Sequence, residues 1–124
     1  MAYKNKKDQA AASKRHYEKH KDKIKARSRK RNKQQKRKNQ AYVRSLKEKG
    51  CCVDCGESNR IVLDFDHVTG NKISNISDMA RGAYSIKSIQ REIDKCEIRC
   101  SNCHRIATHN RINEKRNSQR VKQI

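Results

Sequence analysis

Four of the six cysteines form two C-x2-C pairs, Cys52-Val53-Asp54-Cys55 and Cys100-Ser101-Asn102-Cys103, with 44 residues between them. Each pair can present two thiolates to one ion from a tight turn, and two such knuckles complete a tetrahedral zinc site. Gly56 directly follows the first pair, as suits a backbone that must turn with positive φ. Disulfides and a redox C-x-x-C are the competing readings. Disulfides belong to exported chains, and the Lys-rich start of this sequence leads into no apolar signal segment. A redox pair leaves the second C-x2-C unexplained. Structural Zn²⁺ is therefore expected on Cys52, Cys55, Cys100 and Cys103. Cys51 is the alternative to Cys52 but breaks the x2 spacing, and Cys96 is expected to pack as a small apolar residue.

Such a module needs its metal, because the chain offers little else to bury. Hydrophobic residues make up 32% of its 124 residues and aromatics 4%, while Lys and Arg exceed Asp and Glu by 33 to 13. The excess is segregated. Residues 1–50 carry 20 Lys and Arg against 4 Asp and Glu, residues 51–110 carry 8 and 8, and residues 111–124 carry 5 and 1. This divides the chain into a basic arm over 1–49, a neutral cysteine-bearing module over 50–111 and a short basic segment over 112–124. About 60 residues with few large apolar side chains make a marginal core without a metal. No window approaches the roughly 18 apolar residues of a membrane span, so a cytoplasmic location with no membrane partner is expected.

The arm has no Pro or Gly before Gly50 and is rich in Lys, Arg, Gln, Ala and Glu, so its propensity is helical. It has no apolar stripe to hold a helix on a core. Only Tyr42, Val43 and Leu46 recur at helical spacing, which predicts that the last turns dock on the module. The run Arg27-Ser28-Arg29-Lys30-Arg31-Asn32-Lys33-Gln34-Gln35-Lys36-Arg37-Lys38 repels itself, so partial disorder that becomes helical along a polyanion is expected. Nucleic-acid phosphate is the partner such a density fits, with Arg27, Arg29, Lys30, Arg31, Lys33, Lys36, Arg37 and Lys38 as the contacting side chains. With so few aromatics the arm offers affinity and no base-reading platform.

Between the knuckles, Ile61 to Val68 reads as a strand ending in Asp66-His67 before a turn at Thr69-Gly70-Asn71. Ile73 to Ile76 is expected as a second short strand, Asn75 to Gly82 as a short helix, and Ser85 as the N-cap of a helix to about Lys95. Cys103 to His109 opens a last helix, and residues 112–124 suit either helix or tail. Asp66, His67 and His104 carry the chemistry. A carboxylate and an imidazole can share one divalent ion, leaving positions for water and phosphate oxygens. A second, unliganded His can take a proton from the attacking water.

The pattern C-V-D-C-G, L-D-F-D-H-V and C-S-N-C-H-R-I-A-T-H over roughly Gly50 to Arg111 resembles the zinc-bound subgroup of the HNH nucleases. Small basic members of that kind are common in phage genomes, which would put the protein in a bacterial host cell. The resemblance implies an α+β fold, the ββα-metal motif, in which a two-stranded hairpin and a helix clasp one ion. It further implies hydrolysis of DNA phosphodiester bonds, with Asp66 and His104 holding Mg²⁺ or Mn²⁺, His67 as general base, and the four paired cysteines on structural zinc. Double-stranded DNA is the expected partner, and monomer and homodimer both remain open. The endonuclease VII type of junction-resolving nuclease shares the D-H and the knuckles but has Asn after the last Cys, where this chain has His104. One position departs from the HNH pattern. The middle Asn of the family falls on Lys95, so either another group orients the base His, with Asn71, Asn75 and Asn102 as candidates of equal standing, or the His is held less firmly. His109, about 140° around a helix from His104, is expected to meet phosphate or solvent. The rival readings are a zinc-knuckle nucleic-acid-binding protein without catalysis and a structural, ribosome-associated protein; neither explains the placing of Asp66-His67 and His104.

Overall fold

A computed structural model of the chain describes residues 5–122. The fold is α+β and mostly helical: α1 (Lys6–Lys49), a single 3-10 turn (Arg60–Val62), β1 (Leu63–His67), α2 (Ile76–Arg81), α3 (Ile86–Ile93), β2 (Cys96–Cys100) and α4 (Ser101–Lys122). No helix among the described residues is long and apolar enough to cross a membrane.

The basic arm is one helix of 44 residues. Asn5 caps it by accepting from the Asp8 N–H at 2.9 Å, Asp8 lies in its first turn, and Lys47 and Lys49 in its last, each favourable to the helix dipole. The partial disorder expected from its charge is thus corrected: with neither Pro nor Gly inside, helical propensity prevails over side-chain repulsion that solvent screens. Nearly every residue from Lys6 to Lys38 is exposed. The last turns dock as the apolar spacing predicts, with Val43 buried and Tyr42 and Leu46 half-buried. A polar residue anchors them. Asn39 is fully buried and donates through its amide to the carbonyls of Gly82 (3.1 Å) and Tyr84 (2.8 Å), while Gln35 donates to its oxygen.

β1 and β2 form a two-stranded antiparallel sheet with Leu63 opposite Cys100 and His67 opposite Cys96. Two expectations are corrected here. The first strand is shorter than residues 61–68: the chain enters it through the 3-10 turn, where the Asn59 side chain accepts from the Ile61 N–H, and Ile61 is 79% exposed. Residues 73–76 form no strand. Ile73 gives its N–H to a side chain, the Glu92 carboxylate, and Ile76 begins α2, so β1 finds its partner beyond α3 in Cys96–Cys100. The two short helices between lie where their caps indicate, Asn75 and Gly82 bounding α2, and the Ser85 hydroxyl accepting from the Ser88 N–H at the start of α3.

Alternation along β1 sends Leu63, Phe65 and His67 to one face and Asp64 and Asp66 to the other. Leu63 packs with Cys52 and Cys100, while Phe65 packs on a second cluster of Val43, Ile76, Met79, Ala80 and Ile89, drawn from α1, α2 and α3. α4 follows β2 without a loop and runs unbroken to Lys122, so the basic segment after Arg111 continues this helix among the described residues. Asn39→Ala is expected to destabilise the fold by about 1–3 kcal/mol, the cost of leaving the two carbonyls without their buried donor. Urea unfolding would measure this, and hydrogen exchange would show it as lost protection over residues 39–49.

Candidate functional site

Cys52, Cys55, Cys100 and Cys103 bring their Sγ atoms within 4.8 Å of one another, and these four residues could hold a metal ion such as zinc. Four thiolates at about 2.3 Å from one zinc lie about 3.8 Å apart, and Cys55 and Cys100 are separated by 3.7 Å. Local folding makes the cluster. Gly56, at φ +80°, closes the first knuckle by giving its N–H to the Cys52 carbonyl at 2.9 Å. Cys100 ends β2 and Cys103 lies in the first turn of α4, where its N–H points at the Cys100 sulfur (3.4 Å). Burial opposes ionisation of Cys52, yet hydrogen bonds from the backbone of Cys100, Cys55 and Asp54 outweigh it and bring the thiol down to about 6. Cys103 is pushed the other way by the Cys100 and Cys55 sulfurs, and Cys55, against a hydrogen bond from the Glu57 backbone, by those of Cys52 and Cys100. What suits the cluster to a thiolate-seeking ion is its set of four sulfur donors. Cys51 is exposed and outside the cluster, and Cys96 is half-buried against the apolar core with its thiol pushed up to about 11 by that burial.

Asp66, His67 and His104 line one cleft of about 730 Å³ that runs along the free edge of β1. Arg44 and Lys47 of α1, Arg60, Lys72 and Arg81 also line it, so five cations share it with Asp64 and Asp66. His104, in the first turn of α4, turns its ring back over β1. Its Nε2 lies 3.4 Å from Asp66 Oδ1 and its Nδ1 3.1 Å from Asp64 Oδ2. Asp66 is 3% exposed and held by two guanidiniums: Arg99 donates to Oδ2 (2.8 Å), and Arg111 donates to both oxygens (3.0 and 2.6 Å). Burial raises its pKa, but the two arginines more than offset that and hold it below the usual carboxylate range.

His67 emerges on the opposite face of β1 and meets Glu92 of α3, its Nε2 3.0 Å from Oε1. Glu92 is 1% exposed; it also accepts from the Ile73 N–H (2.9 Å) and from Lys95 Nζ (2.9 Å). Burial works against the charge on Glu92, but Lys95, the Ile73 N–H and His67 prevail and hold the carboxyl at about 2.

Four of these residues were not singled out from sequence. Asp64 shares a face with Asp66 by strand alternation, and Arg111 lies seven residues after His104, nearly two full helical turns, so both were in principle legible. Glu92 and Arg99 give no such signal, since their partners are 25 and 33 residues away. None of Asn71, Asn75 and Asn102 supplies a side chain to His67: Asn71 offers only its carbonyl to Lys95, Asn75 bonds Asp78, and Asn102 is exposed. His109 lies outside the cleft, beside Asn113. The eight cations from Arg27 to Lys38 are all exposed on α1. No family model, no curated protein and no solved structure matches the chain.

Two outcomes follow. Metal analysis of the purified protein should find one zinc ion per chain, and Cys103→Ser should lose it and lower the thermal midpoint, because metal binding here is also folding energy. Glu92, at about 2 against an ordinary 4.5, stabilises the fold fully above pH 4.5, and that contribution disappears as pH falls toward 2. In acid titration, wild type should therefore lose stability relative to Glu92→Gln across that window, since the amide does not titrate.

Proposed function

We propose that this protein is a metal-dependent DNA endonuclease. The observation that carries this reading is that Asp66 and His104 from one face of β1 and His67 from the other line one cleft together with Arg44, Lys47, Arg60, Lys72 and Arg81. Carboxylate, two imidazoles and a phosphate-attracting rim are the parts that hydrolysis of a phosphodiester requires. The order β1, β2, α4, with His67 at the end of the first strand and His104 opening the helix, supports the likeness to the HNH nucleases and their ββα-metal motif.

Asp66 Oδ1 and His104 Nε2 would hold the divalent ion. Their 3.4 Å separation is near the roughly 3 Å edge of an octahedron with 2.1 Å bonds. Mg²⁺ or Mn²⁺ bound there would polarise the scissile phosphate and stabilise charge on the departing 3′ oxygen. Arg111, 44% exposed, is the partner of Asp66 that has to yield to the ion. Neutral His67 accepts a proton from water as the water oxygen bonds to phosphorus; the bond to the 3′ oxygen breaks, and solvent protonates that oxygen. α1 offers a row of exposed cations to the duplex, binding backbone phosphate without reading sequence.

One observation favours the second reading, a nucleic-acid-binding protein without chemistry. Asp66 is already neutralised by Arg99 and Arg111, which gives it a structural role independent of any ion. Supercoiled-plasmid cleavage separates the two. Wild type should nick in Mg²⁺ or Mn²⁺ and be silent in EDTA, and His67→Ala should be slower by about 10²–10⁴-fold, the worth of a general base, while still retarding DNA in a gel. Retardation by both proteins with no cleavage by wild type in either metal would establish the binding module instead.

A further inference from the structure

We propose that Glu92 is the positioning residue for His67, fixing the ring so that its Nδ1 is the proton acceptor, and that Lys95 fixes Glu92. The proposal rests on the nuclease reading for its catalytic meaning but on geometry for its substance. An ionised carboxylate only accepts hydrogen bonds, so the 3.0 Å contact of Glu92 Oε1 with His67 Nε2 requires the proton to be on Nε2. A neutral ring then carries its lone pair on Nδ1, which has no hydrogen-bond partner among the described residues, while the residue itself lines the cleft. Imidazoles that act as bases are oriented through their other nitrogen in this way.

The carboxylate is itself immobilised. The Ile73 N–H occupies Oε1 a second time, and Lys95 Nζ bridges Oε2 (2.9 Å) and the Asn71 carbonyl (2.8 Å). The Lys95 carbonyl meanwhile accepts from the Val68 and Thr69 N–H groups (2.9 and 3.1 Å), pinning the end of β1 just beyond His67. Lys95 stands where the HNH pattern has its Asn. Here one residue holds the strand end through its backbone and the orienting carboxylate through its ammonium, which replaces a direct amide contact to the strand.

The test has two arms. In ¹⁵N-histidine-labelled full-length protein with its zinc, NMR at pH 8 should find His67 as the Nε2–H tautomer, with a hydrogen-bonded imidazole N–H protected from solvent exchange. That signal should vanish in Glu92→Ala and persist in Arg111→Ala. An Nδ1–H tautomer, or an unprotected Nε2–H in wild type, would overturn the proposal whether or not the protein cleaves DNA. In plasmid cleavage, Glu92→Ala should lower kcat by about 10–100-fold, the cost typical of removing the partner that orients a functional histidine, with little change in KM. Glu92→Asp should recover part of the loss. In a His67→Ala background the same change should cost nothing further, whereas a loss there equal to that in wild type would reduce Glu92 to a structural residue. A protected Nε2–H in a wild type that does not cleave would overturn the nuclease reading and, with it, the catalytic role of Glu92.

Discussion

The meeting of Cys52, Cys55, Cys100 and Cys103 is the constraint on which the remaining geometry depends. Cys100 and Cys103 span the loop-free junction of β2 and α4, so a common ion on the four sulfurs would fix the angle at which α4 leaves the sheet. The first knuckle is tied to β2 as well, by the Val53 N–H on the Ile98 carbonyl at 2.9 Å. Leu63, opposite Cys100 in the sheet, is buried against this cluster. The register of β1 is thereby set from the cysteine end, and a slip of one residue would exchange the faces of the Asp64–Asp66 pair and of His67.

Electrostatics then divides β1 into two functions. On its outer face Asp66 lies buried between Arg99 and Arg111, with His104 at its edge; on its inner face His67 meets a carboxylate that is itself paired with Lys95. Every buried side-chain polar atom among the described residues has a partner. A core this small tolerates buried charge only under that condition, since an unpaired ion there would cost several kcal/mol. The same pairing holds Asp66, His67 and Glu92 in single orientations. The arm joins the arrangement through Asn39 and Val43, so the helix that displays the cations also contributes Arg44 and Lys47 to the cleft.

Much of this was legible in the chain itself. The C-x2-C spacing indicates a four-sulfur site, the caps at Ser85, Asn75 and Gly82 delimit two helices, and the isolated Tyr42-Val43-Leu46 spacing marks where the arm docks. These are local signals, carried within a turn or two of backbone. The second strand was not legible. Ile73 to Ile76 is the more β-branched run, yet Cys96–Cys100 pairs with β1, because strand choice depends on which segment the cysteine cluster and α3 bring alongside. Propensity does not record that.

Sequence alone determined the segregation of charge and the four cysteines that could hold an ion, and it singled out Asp66, His67 and His104, because composition and short spacing are properties of the chain. Only the tertiary structure decided their partners: that Arg99 and Arg111 neutralise Asp66, that Asp64 joins His104, and that Glu92 rather than an asparagine meets His67. Each of these contacts joins residues 25 to 45 positions apart. Their proximity is set by the register of β1 on β2 and the angle of α4, which exist only once the chain has folded.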